Sequence, residues 1–264
     1  MPVSFEQKKL LRLLAINRSP SAYLAGGLIG ARRSSRMSDD VDLFHDTPEL
    51  LTEAFESDVK CLEAEGYTVE AKRLGPSMIR ATASKDGYTL RIDWAQDPSW
   101  HFFQPLENEE TGFELHWADA ATNKVLAMAS RSEIRDAFDV MFWHKNPISL
   151  GALIWAAAGK DMGLSPMMIL EEIRRHARIS PDELGLLNTV SQIDPKKFGL
   201  EFRQASRDAE TLLLSLPPET IGHLFLDAEG NVIEPDPNDP ETLSRTLAPR
   251  KGGLTADVIS GPSP

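Results

Sequence analysis

The sequence predicts an α/β (α+β) fold, a mixed sheet with flanking helices followed by a mainly helical C-terminal region. Three observations predict it. Segments with helical apolar spacing alternate with short segments of period two up to Trp143. Beyond Pro147 the apolar spacing is almost wholly helical. Hydrophobic residues make up 41% of the 264 positions, enough to build a packed core.

The elements follow in order. Phe5, Leu10, Leu11, Leu14 and Ala15 recur at helical spacing. Ala22-Tyr23-Leu24-Ala25 reads as a short strand running into Gly26-Gly27. Asp40-Val41-Asp42-Leu43-Phe44 opens with the alternation of a half-buried strand. Residues 49–65 read as a helix closed by Gly66. Strands are expected over 78–83 and 89–94, with Lys85-Asp86-Gly87 as the hairpin turn between them. A further strand is expected over 113–117, then helices over 120–129 and 134–143. Those two helices either run through as one or break at Ser130-Arg131-Ser132, with Ser132 as N-cap. Helices are expected over 150–158, 166–179 and 202–216, and a late hairpin around Ala228-Glu229-Gly230. The expected organisation is a catalytic domain over 1–145, a helical region over 146–234 and a flexible tail over 235–264, rich in Pro, Gly and Ser.

Composition narrows the classes of function. No stretch reaches the roughly 18 apolar residues that a membrane-spanning helix needs. Met1-Pro2-Val3-Ser4-Phe5 and the residues after it carry no signal-peptide pattern. Cys61 is the single cysteine, so no internal disulfide forms, and a reducing, cytoplasmic setting is expected. A net charge of −12 argues against generic nucleic-acid binding but leaves room for one basic cleft. Basic clusters occur at Arg32, Arg33 and Arg36 and at Arg174, Arg175 and Arg178; each is either such a cleft or a solvated face. The scattered histidines make no zinc spacing, and no P-loop or nucleophile elbow occurs.

The chemistry concentrates around Asp40-Val41-Asp42. Two aspartates two apart on a strand point to one face, and their carboxylates suit hard cations such as Mg²⁺ or Mn²⁺. Upstream, Gly26-Gly27 supplies backbone that can approach a triphosphate. Leu90, Ile92 and Trp94 face one side of their strand, leaving Arg91 and Asp93 on the other, so Asp93 is the third carboxylate. Two carboxylates on one strand and one on a nearby strand suit a two-metal clamp on phosphoryl or nucleotidyl transfer. Trp94, Trp100, Phe102 and Phe103 either stack a base or pack the core and its rim.

Tyr23-Leu24-Ala25-Gly26-Gly27 followed by Arg36-Met37-Ser38-Asp39-Asp40-Val41-Asp42 resembles the signature of AbiEii/AbiGii-type nucleotidyltransferase toxins. A second block agrees in order, with Lys124 in Asp119-Ala120-Ala121-Thr122-Asn123-Lys124, then Arg131 and Arg135-Asp136-Ala137-Phe138-Asp139. The resemblance covers roughly residues 20–145. It implies a nucleotidyltransferase fold, with Mg²⁺ or Mn²⁺ held by Asp40, Asp42 and Asp93. It also implies an NTP substrate held by Gly26, Gly27, Arg36, Ser38 and Lys124. Arg131, Arg135, Asp136 and Asp139 are either further site residues or a structural ion-pair set. An RNA or tRNA acceptor and a cognate antitoxin are implied as partners. Leu28 stands where the family commonly carries Thr or Ser, so Ser34, Ser35 or Ser38, or backbone alone, takes over that contact. The alternative reading is a catalytically weak module of the same fold that binds a nucleotide or a protein.

Overall fold

The computed structural model describes residues 3–31, 34–97, 100–144, 146–176 and 180–251. The chain divides into two compact units, the first up to His116 and the second from Trp117 to Arg250.

The first unit contains α1 (Phe5–Leu14), β1 (Ala22–Ala25), α2 (Gly27–Ala31), β2 (Asp40–His45), α3 (Pro48–Ala64) and β3 (Thr68–Arg73). It continues with β4 (Met78–Lys85), β5 (Tyr88–Gln96), β6 (Trp100–His101), β7 (Leu106–Asn108) and β8 (Gly112–Glu114). A capping box opens α1: Ser4 accepts from the Gln7 backbone and the Gln7 side chain accepts from Ser4. Thr47 caps α3 with Pro48 in its first turn, where a missing N–H costs nothing. Seven strands form one mixed sheet in the order β3-β4-β5-β2-β1-β8-β7. β2 runs parallel to β5, and β1 parallel to β8; the other neighbours are antiparallel.

Period-two alternation gives this sheet two chemically different faces. Val41, Leu43, Ile79, Ala81, Ala83, Ile92 and Trp94 are buried on one face, together with Leu51 and Leu62 of α3. Phe55 of α3 meets the Trp94 ring edge-on at 5.1 Å. Burying a side chain of this size stabilises by roughly 2–3 kcal/mol. The other face carries Asp40 and Asp42 of β2, Arg91 and Asp93 of β5, and Arg80 of β4.

The strands at 22–25, 40–44, 78–83 and 89–94 appear as expected, each extended by at most a few residues. β3 escapes the sequence patterns because it is an edge strand with nearly every side chain exposed, leaving no apolar alternation to detect. The expected strand over 113–117 ends at Glu114, and Trp117 instead begins a helix.

The second unit holds α4 (Trp117–Ser130), α5 (Ile134–His144), α6 (Leu150–Ala157), α7 (Pro166–His176), α8 (Pro181–Gly185) and α9 (Pro195–Ser215). Then follow β9 (Leu224–Phe225), α10 (Pro240–Ser244) and β10 (Thr246–Leu247). Every residue of α6 is buried, so it is the central helix of this unit, packed by α4, α7 and α9. Gly151 of α6 makes the approach of α9 possible, since a Cβ there would lie 3.1 Å from the Ala209 Cα. Asp194 caps α9 with Pro195 in its first turn, so this helix starts seven residues before the apolar pattern that announces it. The late hairpin is present in short form, an antiparallel bridge from Leu226 to Val232 flanked by backbone bonds from Asp227 to Asn231 and from Ile233 to Phe225, while β9 takes its ladder from β10. Between Pro235 and Lys251, read from composition as tail, lie α10 and β10; residues 252–264 are outside the described residues.

Candidate active site on the polar sheet face

The register places the carboxylates in rows across the strands. One row runs Arg80, Asp93, Asp42, Ala25 over β4, β5, β2 and β1; the next runs Thr82, Arg91, Asp40. Asp42 and Asp93 are therefore direct cross-strand neighbours on one face, a like-charge pair that destabilises a sheet unless a cation compensates it.

Arginines supply part of that compensation. Arg80 grips Asp93 with both arms, Nε to Oδ1 at 2.8 Å and Nη2 to Oδ2 at 2.7 Å. This fork raises the Arg80 pKa above its already high ordinary value, and the Asp42 charge adds to the effect. Arg91 pairs through Nη2 with Asp40 Oδ2. The arginine side chains remain 41% and 40% exposed, whereas their aspartates are largely covered. The sequence reading expected Asp40, Asp42 and Asp93 to converge on metal. Among the described residues, however, no three His, Cys, Asp or Glu side chains are gathered to hold one ion. The reason is local: Asp40 and Asp93 are turned to Arg91 and Arg80.

The chain leaves β1 at Gly26, and only glycine serves there. Its φ is +66°, a left-handed conformation, and an added Cβ would overlap the Asp42 carboxylate, lying 2.5 Å from Cγ. Gly27 is close-packed too, though less severely: a Cβ would stand 2.8 Å from Arg36 Nη2 and 2.9 Å from Ser38 Oγ. Ser38 donates to Asp40 Oδ1 at 3.3 Å and its carbonyl accepts from Gln7 Nε2 at 2.6 Å, so α1 tethers the loop entering β2. Gly26, Gly27, Arg36, Ser38, Asp40, Asp42 and Asp93 thus come together on one sheet face and its adjoining loop. The Leu28 side chain is fully buried and offers nothing to this face.

The oxygen-only donor set on two adjacent strands fits a hard divalent cation in kind. The Asp42 carboxylate itself occupies the space that a side chain at position 26 would need, so the glycine lets it lie against the backbone.

The remaining predicted site residues lie in the second unit. Lys124 of α4 is not an exposed helix lysine: its side chain is 15% exposed and its Nζ pairs with Asp136 at 3.0 Å and Asp139 at 3.3 Å. Arg131 joins the set through Nε to Asp136 Oδ2 at 2.7 Å, and Arg135 lies 3.8 Å from Glu133. The break after Ser130 folds α5 back on α4 and makes these pairings possible. Burial would push the Asp136 carboxyl up, but its bonds to Arg131 and Lys124 outweigh burial and hold its pKa below the ordinary value.

Trp94, Phe102 and Phe103 are buried and pack the core. Arg174 pairs with Glu210 and Arg175 with Glu172, as on a solvated face, while Arg32, Arg33 and Arg178 lie outside the described residues. No described helix is long and apolar enough to cross a membrane.

Sequence reasoning named Arg91 only for its side of the strand and overlooked Arg80. The two-residue turn closing β4 and β5 sets Lys85 opposite Tyr88, and counting back from it puts Arg80 opposite Asp93.

No protein-family profile matches the chain, and no curated protein does. Among solved structures it is similar to an H. pylori protein described as a nucleotidyltransferase, with TM-score 0.47, 16% identity, and coverage of 79% of this chain and 94% of that one. It is also similar to MenT4, a nucleotidyltransferase toxin from Mycobacterium tuberculosis H37Rv, with TM-score 0.47, 13% identity, and coverage of 81% and 84%. Cid1, an RNA terminal uridylyl transferase, overlaps 55% of this chain and 42% of its own, with TM-score 0.29 and 16% identity.

Proposed function

We propose that this chain is a Mg²⁺- or Mn²⁺-dependent nucleotidyltransferase that moves a nucleoside monophosphate from an NTP to an acceptor. The observation that carries this is the row Asp93–Asp42 beside Asp40, with Gly26 backbone packed against the Asp42 carboxylate. Directly paired carboxylates call for positive charge beside them, which a divalent cation would add to that of Arg80. Asp40 and Asp42 would hold the metal, and Asp93 would complete the set. A bound divalent cation would neutralise charge developing on the transferred phosphoryl group. Gly26 and Gly27 offer a backbone surface to phosphates, with Arg36 and Ser38 beside them. Lys124 as a triphosphate ligand, with Arg131, Arg135, Asp136 and Asp139 around it, rests on the resemblance of its motif. So do the toxin role, the RNA or tRNA acceptor and the antitoxin partner. The cytoplasmic setting rests on the single cysteine and the sequence composition, and a catalytic portion ending near residue 145 on the change of apolar spacing there.

A second reading is a nucleotide- or protein-binding module without turnover. Leu28 favours it, because the position that commonly offers a hydroxyl is sealed in the core. The test is label transfer from each α-labelled NTP to total RNA, with and without Mg²⁺. Metal-dependent labelling by one or more NTPs is expected. Nucleotide binding with no transfer under any condition would favour the second reading.

A further inference from the structure

The polar face carries three carboxylates, Asp40, Asp42 and Asp93, and two guanidinium groups, Arg80 and Arg91, in cross-strand pairs. On the opposite face Arg18 is sealed, its side chain 1% exposed. Arg80 and Arg91 are 41% and 40% exposed instead, while the carboxylates they grip are nearly covered. Guanidinium groups this open reach water and can turn toward another anion. Arg91 also keeps a buried Nε without a hydrogen-bond partner, so its fork is only half used against Asp40. A planar fork with a spare donor matches phosphate oxygens as well as a carboxylate.

Resting on the nucleotidyltransferase reading, we infer that Arg80 and Arg91 are exchange partners for a triphosphate. They hold Asp93 and Asp40 in the metal-free chain and turn to phosphate oxygens once divalent cations take the carboxylates. A divalent cation on the carboxylates competes with the guanidinium groups for the same oxygens. The released arginines then find their next anion in the substrate. The same two side chains thereby keep the carboxylates apart before loading and grip the triphosphate after it.

The two halves of this exchange predict opposite signs. In calorimetric titrations with Mn²⁺ alone, Arg80→Ala and Arg91→Ala remove a competitor and should tighten Mn²⁺ binding by about three- to fivefold, the size of an exposed charge pair. With manganese tripolyphosphate, a base-independent probe, the same variants should bind about tenfold more weakly, as expected on losing a charge-assisted bidentate contact. Arg80→Lys and Arg91→Lys keep the charge and the fold but lose the fork; they should bind Mn²⁺ as wild type does and tripolyphosphate more weakly. If an alanine variant fails to fold, its lysine counterpart decides through the tripolyphosphate arm. Unchanged or weakened Mn²⁺ binding in the alanine variants, or unchanged tripolyphosphate binding in any variant, would overturn the exchange. Wild type that takes up Mn²⁺ and tripolyphosphate while the variants match it removes only this inference. Wild type that binds no Mn²⁺ removes the reading of the site as well.

Discussion

One sheet carries the same chemical pair on both faces, under opposite conditions. On the apolar face Arg18 meets Asp58 of α3 at 2.5 and 2.6 Å, with both side chains sealed, and Trp94 Nε1 adds a bond to Asp58 at 2.8 Å. On the polar face Arg80–Asp93 and Arg91–Asp40 have equally direct contacts, yet their guanidinium groups reach solvent. Asp93 and Trp94 are adjacent in β5 and serve these two faces, so a single step along the strand separates structural from exchangeable charge. Contact alone does not distinguish the roles. Access does, because a sealed pair cannot trade partners and an open one can.

The comparison breaks first at Arg18. Arg18→Met leaves Asp58 buried with its charge uncompensated, and chemical denaturation should show a loss of about 3–5 kcal/mol. Arg80→Met, read by the same method, should lose less, about 1–3 kcal/mol, since its guanidinium reaches water although Asp93 is nearly covered. Equal losses would erase the distinction between the faces. Gly26→Ala should come next, costing about 1–3 kcal/mol for the left-handed backbone alone. It should also abolish Mn²⁺ uptake, because the new Cβ displaces the Asp42 carboxylate.

His45 sharpens the apolar side. Burial, aided by the Arg18 charge, lowers its pKa from 6.5 to about 4. The folded state therefore holds a neutral imidazole that the unfolded chain would protonate below pH 6.5. That contribution is complete above pH 6.5 and is lost as pH falls towards 4. The expected loss is about 3 kcal/mol at its acid end. Thermal melts across this window should show His45→Met declining less steeply than wild type. Parallel declines would assign the acid sensitivity elsewhere.

Lys124 closes the series and sits in the second unit. Because Asp136 is sealed and loses one of its two cations, Lys124→Ala should cost about 1–3 kcal/mol in denaturant melts. A change of only a few tenths would return Lys124 to the class of surface lysines.

The sequence made one part of this legible and hid another, for reasons that particular residues show. Strands β2 and β5 announced themselves because each alternates apolar and polar residues over a half-buried span, which also placed Asp40, Asp42, Arg91 and Asp93 on one side. The pairing of Arg80 with Asp93 was available from the tight turn at Asp86-Gly87. The pairing of Asp40 with Arg91 was not, since β2 and β5 meet in parallel across α3 and a hairpin, and no local signal sets that register. Lys124 illustrates a different limit. Its spacing to Asp136 and Asp139 acquires meaning only after the chain turns between α4 and α5. Arg18 and Asp58, far apart in sequence, carry no pattern that marks them as partners.

Asp42 bears the central claim, being packed against the Gly26 backbone and directly opposite Asp93. The direct test is label transfer from α-labelled NTPs to RNA in Mg²⁺ by wild type and Asp42→Asn, with thermal melts of both. The account predicts that wild type labels RNA and that Asp42→Asn loses at least about a hundredfold in rate, the scale of removing one transition-state charge contact. Its melting temperature should be equal or slightly higher, because a like-charge neighbour of Asp93 is gone. Transfer by Asp42→Asn at the wild-type rate would contradict it.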